Sequence, residues 1–322
     1  MLERAREAVD AAAAPIEIIT IDDAIGVPSL SSIAAAGEPP LVAIDPSTDV
    51  AVMPYSSGTT GLPKGVMLTH RNLVANLVQL GAIEDDDISA LVGVLPFFHI
   101  YGMTVIMNFG IMRGATVVTL PRFELEAFLR VLEEWSIPVA HVVPPIAIAL
   151  AKHPAVDRYD LSQLRWVFSA AAPLDQDTSE AIERRIGLRI RQGYGMTEAS
   201  PATHFCVPTH SRPGKVGPLV PNTECRIVDP ATGVDARLDQ AGEVWVRGPQ
   251  VMKGYLNNLH ATAATVDADG WLHTGDIGTV DDDGFLEVTD RLKELIKVKG
   301  YQVAPAELEV CSSSIRKLST RR

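Results

Sequence analysis

The sequence predicts an α/β chain, a layered sandwich with largely parallel sheets followed by a smaller β-rich subdomain. Two observations carry that prediction. From Leu41 to about residue 205, short β-branched runs alternate with longer stretches of helical pattern, as in parallel strands joined by crossover helices. From Arg212 to Thr289 the texture changes to short strands separated by turn clusters: Asp229–Gly233, Asp267–Gly270 and Asp281–Gly284. A further unit opens at Asp290. The expected organisation is an α/β lobe over 1–205, the β-rich subdomain over 206–289, and a third segment over 290–322.

Taken in order, Leu2 to Ala14 reads as a helix and Ile16 to Ile21 as a β-rich run. The strand candidates of the lobe are Ala51–Tyr55, Ala90–Leu95, Thr116–Leu120, Val139–Val143, Trp166–Ser169 and Leu188–Gln192. The helix candidates are His70–Leu80, an apolar stretch from Ile100 to Met112, Phe123–Trp135, Pro145–His153 and Asp175–Ile186. In such folds ligands lie beyond the carboxyl ends of the strands, and the motifs of this chain follow predicted strands.

Composition narrows the function. The chain has 322 residues, 47% hydrophobic and 21% charged, values of an ordinary globular protein with a sizeable core. A net charge of −12 argues against non-specific nucleic-acid binding. Cys206, Cys225 and Cys311 form no metal- or disulfide-type spacing, which suits a reducing cytoplasm. Glu3, Glu7 and Asp10 exclude a signal peptide. The most apolar run, Ile137 to Ala151, is too short to span a membrane and holds His141, Pro144 and Pro145.

The chemistry begins at SSGTTGLPKG, Ser56 to Gly65. Glycines let backbone approach an anion, hydroxyls and N–H groups donate to phosphate oxygens, and a lysine adds a point charge. The order differs from the P-loop, because Gly58 and Gly61 are too close and Pro63 precedes Lys64. In GYGMTE, Gly193 to Glu198, Tyr194 is suited to stack on adenine, Thr197 to donate to phosphate and Glu198 to hold Mg²⁺. The plainer reading is a strand-to-helix turn with Thr197 as N-cap. His99, in LPFFHIYG, is either a satisfied core or cap histidine or a ring beside the substrate. Asp276, in DGWLHTGD, is either a surface turn residue or an acceptor for two ribose hydroxyls, with Arg291 as a charged donor. Lys293, Lys297 and Lys299 form either a solvated strand edge or an anion-binding face.

These motifs, in this order, resemble those of the acyl-adenylate-forming superfamily. The phrases YSSGTTGLPKGVMLTH, FHIYG, YDLSQL, AAAPL, QGYGMTEA, GPQVMKGYLN, DGWLHTGDIG and DRLKELIKVKGYQVAPAELE are similar to its 4-coumarate–CoA ligase branch, from about Ile16 to Glu309. The resemblance implies a carboxylic acid, ATP, Mg²⁺ and CoA as reactants, an acyl-AMP intermediate and a CoA thioester product. It implies that Ser56, Ser57, Gly58, Thr59, Thr60, Gly61 and Lys64 cradle the β- and γ-phosphates. Gln192, Gly193 and Tyr194 would frame the adenine and acyl pocket, and Thr197, Asp276 and Arg291 would hold AMP. His99 would orient the carboxylate and α-phosphate, Glu198 would hold Mg²⁺, and Lys293 would be the hinge between two poses of a C-terminal α+β lid. Lys299 and Gly300 would contact CoA, with Lys297 on the same anion-binding face and Arg122 at the distal phosphate. Tyr101 would meet a hydroxycinnamate ring, with Val105, Ala171, Gly193, Pro201 and Ala202 lining the rest.

Against the family pattern, only 55 residues precede Ser56, and the tail VCSSSIRKLSTRR from Val310 to Arg322 lacks the late lid lysine. Ala170 stands where the family often has glycine. The expected reading is therefore an ATP-dependent acid–CoA ligase for an aryl or related acid, with residues 290–322 as a lid stub. A catalytically impaired nucleotide-binding remnant is the first alternative. A fatty-acyl-AMP ligase, fatty-acyl-CoA ligase or luciferase-like relative is the second. No obligate protein partner is implied.

Overall fold

The computed structural model describes residues 2–12, 15–34, 41–56, 63–84, 87–207, 211–212, 214–292, 296–298 and 301–303. By its contacts the chain divides into two units, Met1–Ile44 and Asp45–Arg322. In the first, α1 (Leu2–Ala11) forms as expected from the amphipathic start. The four-residue α2 (Leu30–Ile33) is opened by Ser29, whose hydroxyl accepts from the Ser32 N–H. The run Ile16–Ile21 makes no strand, contrary to the sequence reading, and contributes one bridge, Thr20 to Ser29. A β-prone run needs a neighbour for its N–H and C=O groups, and a single bridge does not supply one.

The second unit carries the sheets and all the site residues. It opens with β1 (Val50–Val52), β2 (Tyr55–Ser56), β3 (Lys64–Thr69) and α3 (His70–Ile83). Then come β4 (Ala90–Gly93), a π-helical segment Gly102–Asn108 running into α4 (Phe109–Met112), and β5 (Thr116–Thr119). The series continues through α5 (Leu125–Glu134), β6 (Val139–Val142), α6 (Pro144–Lys152), β7 (Trp166–Ser169), α7 (Gln176–Ile186), β8 (Ile190–Gly195) and β9 (Ala202–Phe205).

These strands form a six-stranded sheet ordered β5-β4-β6-β7-β8-β9. It is parallel from β5 to β8, and β9 closes it antiparallel. Strands β4, β6 and β7 are buried at every position, which explains their unbroken apolar runs, because crossover helices cover a parallel sheet on both faces. The core around them includes Leu91, Val139, Val142, Val167, Phe128 and Leu129, each with no more than 1% exposure. Burying each such side chain contributes about 1.5–3 kcal/mol.

The remaining elements are β10 (Glu224–Val228), β11 (Gly242–Arg247), β12 (Gly254–Tyr255), α8 (Leu259–Thr265), β13 (Leu272–Val280), β14 (Leu286–Arg291), β15 (Ile296–Val298) and β16 (Tyr301–Val303). Strands β10-β11-β13-β14 make an antiparallel sheet, the expected β-rich region. One short strand leaves that region: β12 pairs with β3, which is also flanked by β1 and β2. The sheet around β3 is antiparallel, so the parallel arrangement belongs to the six-stranded sheet alone.

Local chemistry sets several boundaries. Asp175, expected as the first residue of a helix, is the N-cap of α7, and its carboxylate accepts from the Thr178 N–H and hydroxyl, both at 2.8 Å. The π-helical segment begins at Gly102, where a Cβ would sit 2.4 Å from the carbonyl oxygen of Pro96. No larger residue fits that approach without moving backbone. Behind it, Arg191 lies 3.6 Å from Glu84 and stacks 4.1 Å over Trp166, an ion pair almost wholly removed from water. The low-dielectric setting makes such a pair costly to break from one side.

Replacing Asp175 by alanine should lower stability by about 1 kcal/mol in urea unfolding. A change within error would mean that the cap is not holding α7. Two buried histidines predict a pH dependence. Burial, with Arg191 adding for His141, depresses His141 and His204 to about 3. The free imidazole value is about 6.5. Between those values the unfolded chain binds more protons, so stability is intact above about 6.5 and falls as pH is lowered. Each histidine contributes a slope approaching about 1.4 kcal/mol per pH unit. Unfolding at about pH 7 and about pH 5.5 should show the loss, and His204→Gln should reduce it; equal losses would contradict the assignment.

Candidate active site

The site collects at the carboxyl end of β8 and the strands facing it. β8 extends past its predicted end to Gly195, so Gly193 and Tyr194 lie on the strand itself, paired with Phe205 and His204 of β9. The two strands close tightly: a Cβ on Gly195 would lie 2.1 Å from the carbonyl oxygen of Pro201. The chain then makes a 3-10 turn, Thr197–Ala199. Its cap position is Met196, with no side-chain cap bond, so the plainer reading of Thr197 as an N-cap does not hold.

Glu198 on that turn is 5% exposed, and its Oε1 accepts two hydrogen bonds. One comes from the hydroxyl of Ser56 at 2.9 Å and one from the hydroxyl of Tyr255 at 2.7 Å. Ser56 pairs with Lys64 across β2 and β3, and the Lys64 ammonium sits 4.6 Å from the centre of the Tyr255 ring. Thus Ser56, at one described end of the phosphate-type loop, meets the acidic residue of GYGMTE, and Lys64, at the other, meets the tyrosine that shares it. Burial, reinforced by Glu198, pushes the Tyr255 phenol well above its ordinary value, so it remains a donor. Sequence reasoning missed Tyr255; a tyrosine in GPQVMKGYLN carries no signal until β12 is seen to pair with β3.

A second constellation lies on β13 and β14. Asp276 and Arg291, fifteen positions apart, are register partners, with Arg291 Nε 3.2 Å from Asp276 Oδ1. The Tyr194 hydroxyl donates to Asp276 Oδ2 at 2.6 Å. Burial, followed by the Asp276 charge, raises the Tyr194 phenol well above its ordinary range. Gln192 is buried, and its side-chain oxygen accepts from the Leu174 N–H at 3.3 Å.

His99 is exposed at the start of the segment leading to the π-helix, and its Nδ1 accepts from the Tyr101 N–H at 3.2 Å. Partial desolvation lowers its pKa. The neutral ring that results carries its proton on Nε2, which is therefore a donor. Tyr101 is buried, with its hydroxyl 3.3 Å from His141 Nδ1 and 3.5 Å from the carbonyl oxygen of Phe168. Val105, Pro201 and Ala202 are buried, whereas Ala171 is exposed and holds φ at 75°, a left-handed conformation disfavoured for alanine. Arg122 lies apart on the surface, paired with Glu124 at 2.5 Å. Ser57, Gly58, Thr59, Thr60, Gly61, Lys293, Lys299 and Gly300 lie outside the described residues, as does the side chain of Lys297, whose backbone is on β15.

Among the described residues no three His, Cys, Asp or Glu side chains converge on a metal position. A lone carboxylate is nevertheless the donor set that suits Mg²⁺, which keeps waters and takes phosphate oxygens beside one or two carboxylates. Glu198, with one oxygen fixed by two hydroxyls, offers such a carboxylate.

Comparison with known proteins places the chain among similar ones. A family model described as "AMP-binding enzyme" matches residues 2–256. The rice (Oryza sativa subsp. japonica) 4-coumarate–CoA ligase 2 is 47% identical over 312 residues, 91% of this chain and 55% of the relative. The Petroselinum crispum 4-coumarate–CoA ligase 2 is 44% identical over 309 residues, 91% of this chain and 56% of the relative. The amide bond synthetase McbA from Marinactinospora thermotolerans superimposes with a TM-score of 0.82 at 30% identity, covering 94% of this chain and 60% of that one. ATP-bound MatB from Rhodopseudomonas palustris gives 0.77 at 31% identity, covering 82% and 52%. The chain thus spans little more than half the length of the curated relatives it matches.

Two hydroxyls on one oxygen should be energetically coupled. In a double-mutant cycle, Ser56→Ala and Tyr255→Phe should each cost about 1 kcal/mol or more in urea unfolding and couple by about 0.5 kcal/mol or more. Strict additivity would mean the two donors do not share Glu198.

Proposed function

The chain belongs to the AMP-binding enzyme family, and on that premise we propose that it activates a carboxylic acid with ATP and passes the acyl group to CoA, with an acid of the 4-coumarate type as substrate. The observation that carries the reading is the shared Glu198 oxygen, which ties Ser56 and Tyr255 to the GYGMTE turn, with Lys64 over the Tyr255 ring. The names of relatives at 44–48% identity support the acid and the thiol.

In the first step a carboxylate oxygen attacks the α-phosphorus of ATP, the bond to the β-phosphate oxygen breaks, and pyrophosphate leaves with the electron pair. In the second, the CoA thiol loses its proton, its sulfur attacks the acyl carbonyl, and AMP leaves. A free carboxylate is a poor acceptor for a thiol, and the mixed anhydride supplies a good leaving group. The protein's share is positioning and charge stabilisation around phosphorus.

In this reading Lys64 and Ser56 face the β- and γ-phosphates, and Thr197 donates to the α-phosphate. His99, neutral with its proton on Nε2, donates to the carboxylate or an α-phosphate oxygen. Asp276 accepts the ribose hydroxyls while Arg291 fixes its orientation, and the Tyr194 ring meets the adenine. Glu198 would hold Mg²⁺, which when bound would neutralise charge on the phosphates. Tyr101, Val105, Pro201 and Ala202 form the acyl side, with Gly193 and Ala171 at its rim. Lys293, Lys297, Lys299, Gly300 and Arg122 are assigned to the lid and CoA by the family pattern. A soluble cytoplasmic setting fits the reactants.

Carboxylate-dependent ATP–pyrophosphate exchange, with 4-coumarate, cinnamate and octanoate in parallel, tests the proposal. Exchange should exceed the no-acid control and be highest with 4-coumarate. A folded sample with no exchange would overturn the adenylation reading, and a preference for octanoate would overturn the aryl assignment. Tyr101→Phe should weaken 4-coumarate by about tenfold and cinnamate by much less. Equal losses would remove Tyr101 from ring recognition.

A further inference from the structure

One face of α3 carries a polar row, Asn72, Asn76 and Gln79, at the spacing that places residues on one side of a helix. Polar residues there would ordinarily face water, yet these are 9%, 0% and 3% exposed. None of the three belongs to a phosphate, acid or metal contact in the proposed function.

Each amide is hydrogen-bonded to the backbone of another segment. The Asn72 side-chain oxygen accepts from the N–H and hydroxyl of Thr69, both at 2.9 Å. Its NH₂ donates to the carbonyl oxygens of Pro249 and Val251, both at 2.8 Å. That is the full capacity of a carboxamide. The next residue along, Met252, donates its N–H to the Glu198 carbonyl at 2.8 Å, and Tyr255 follows on β12. Asn76 makes both hydrogen bonds of Ala202, donating to its carbonyl at 2.9 Å and accepting from its N–H at 3.1 Å. It thereby acts as a neighbouring strand would for the first residue of β9. Gln79 links onward, donating to the Pro221 carbonyl at 2.7 Å and the Gln250 side-chain oxygen at 3.0 Å.

From this we infer that α3 sets the register between the two halves of the site: Asn72 is a positioning residue for the Glu198–Tyr255 phosphate side, and Asn76 for the Pro201–Ala202 acyl side. The two roles separate because the two amides hold different segments. Buried amides with this many partners leave unsatisfied backbone groups when removed, so loosening should appear where each was bonded.

The test has a structural arm and a kinetic arm, and only the kinetic arm rests on the ligase reading. Amide hydrogen exchange is measured on the unliganded chain and on Asn72→Ser, Asn76→Ser and, as a control on the exposed face of α3, Val78→Ala. Asn76→Ser should speed exchange over 202–206, Asn72→Ser over 249–256, and Val78→Ala neither. In ATP–pyrophosphate exchange, Asn76→Ser should raise the KM for the acid about tenfold with the KM for ATP nearly unchanged, and Asn72→Ser the reverse. Asn76→Ala and Asn72→Ala should deepen the same pattern. Equal opening of both segments by either variant, or no opening, would overturn the inference. A wild-type chain that opens as expected but does not exchange pyrophosphate would overturn the ligase reading and leave the register role standing.

Discussion

One carboxylate oxygen, Oε1 of Glu198, receives hydroxyl groups from Ser56 and Tyr255, which lie 142 and 57 positions away in sequence. The architecture of the site follows from satisfying that oxygen. Ser56 comes from β2, Glu198 from the turn after β8, and Tyr255 from β12, which leaves its own β-rich region to pair with β3. A carboxylate this buried requires charge-assisted partners, and both donors are fixed on strands paired to β3. Moving any one strand would strand the charge. The Lys64 ammonium sits over the ring of Tyr255, whose hydroxyl reaches that carboxylate.

The second sheet is joined to the first through Tyr194. Its ring packs against the cluster of Val244, Val246 and Leu286, and its hydroxyl holds Asp276. Asp276 is in turn held by Arg291 across a β-hairpin register. The phosphate side and the ribose side of the proposed nucleotide site are therefore carried by Glu198 and Tyr194, four residues apart on one strand and turn.

Much of the six-stranded sheet was legible because buried parallel strands advertise themselves as β-branched runs between helices. Trp166–Ser169 was read to the residue, and Thr116–Leu120 and Val139–Val143 to within one. The missed strands owe their existence to partners. Lys64–Thr69 reads as the tail of a glycine-rich loop until β1, β2 and β12 gather round it, although Val66 and Leu68 already alternate inward. Gly193–Gly195 is extended only because Ala202–Phe205 returns antiparallel beside it. The opposite failure, Ile16–Ile21, had the composition of a strand and no neighbour. At the site, residue types at motif positions were readable: Glu198, Asp276, Arg291 and Lys64. Tyr255, Asn72 and Asn76 were not, since their importance lies in which distant backbone or carboxylate they meet.

The proposed role of Glu198 is that of the metal-facing acceptor in a phosphate site. Calorimetric titration of ATP into the wild-type chain and into Glu198→Gln, each with and without Mg²⁺, addresses it directly. The amide of the variant keeps an oxygen for Ser56 and Tyr255 and removes the charge. The wild-type chain should bind ATP more tightly with Mg²⁺, and the variant should lose that increment while still binding ATP. The same Mg²⁺ increment in both proteins would contradict the account.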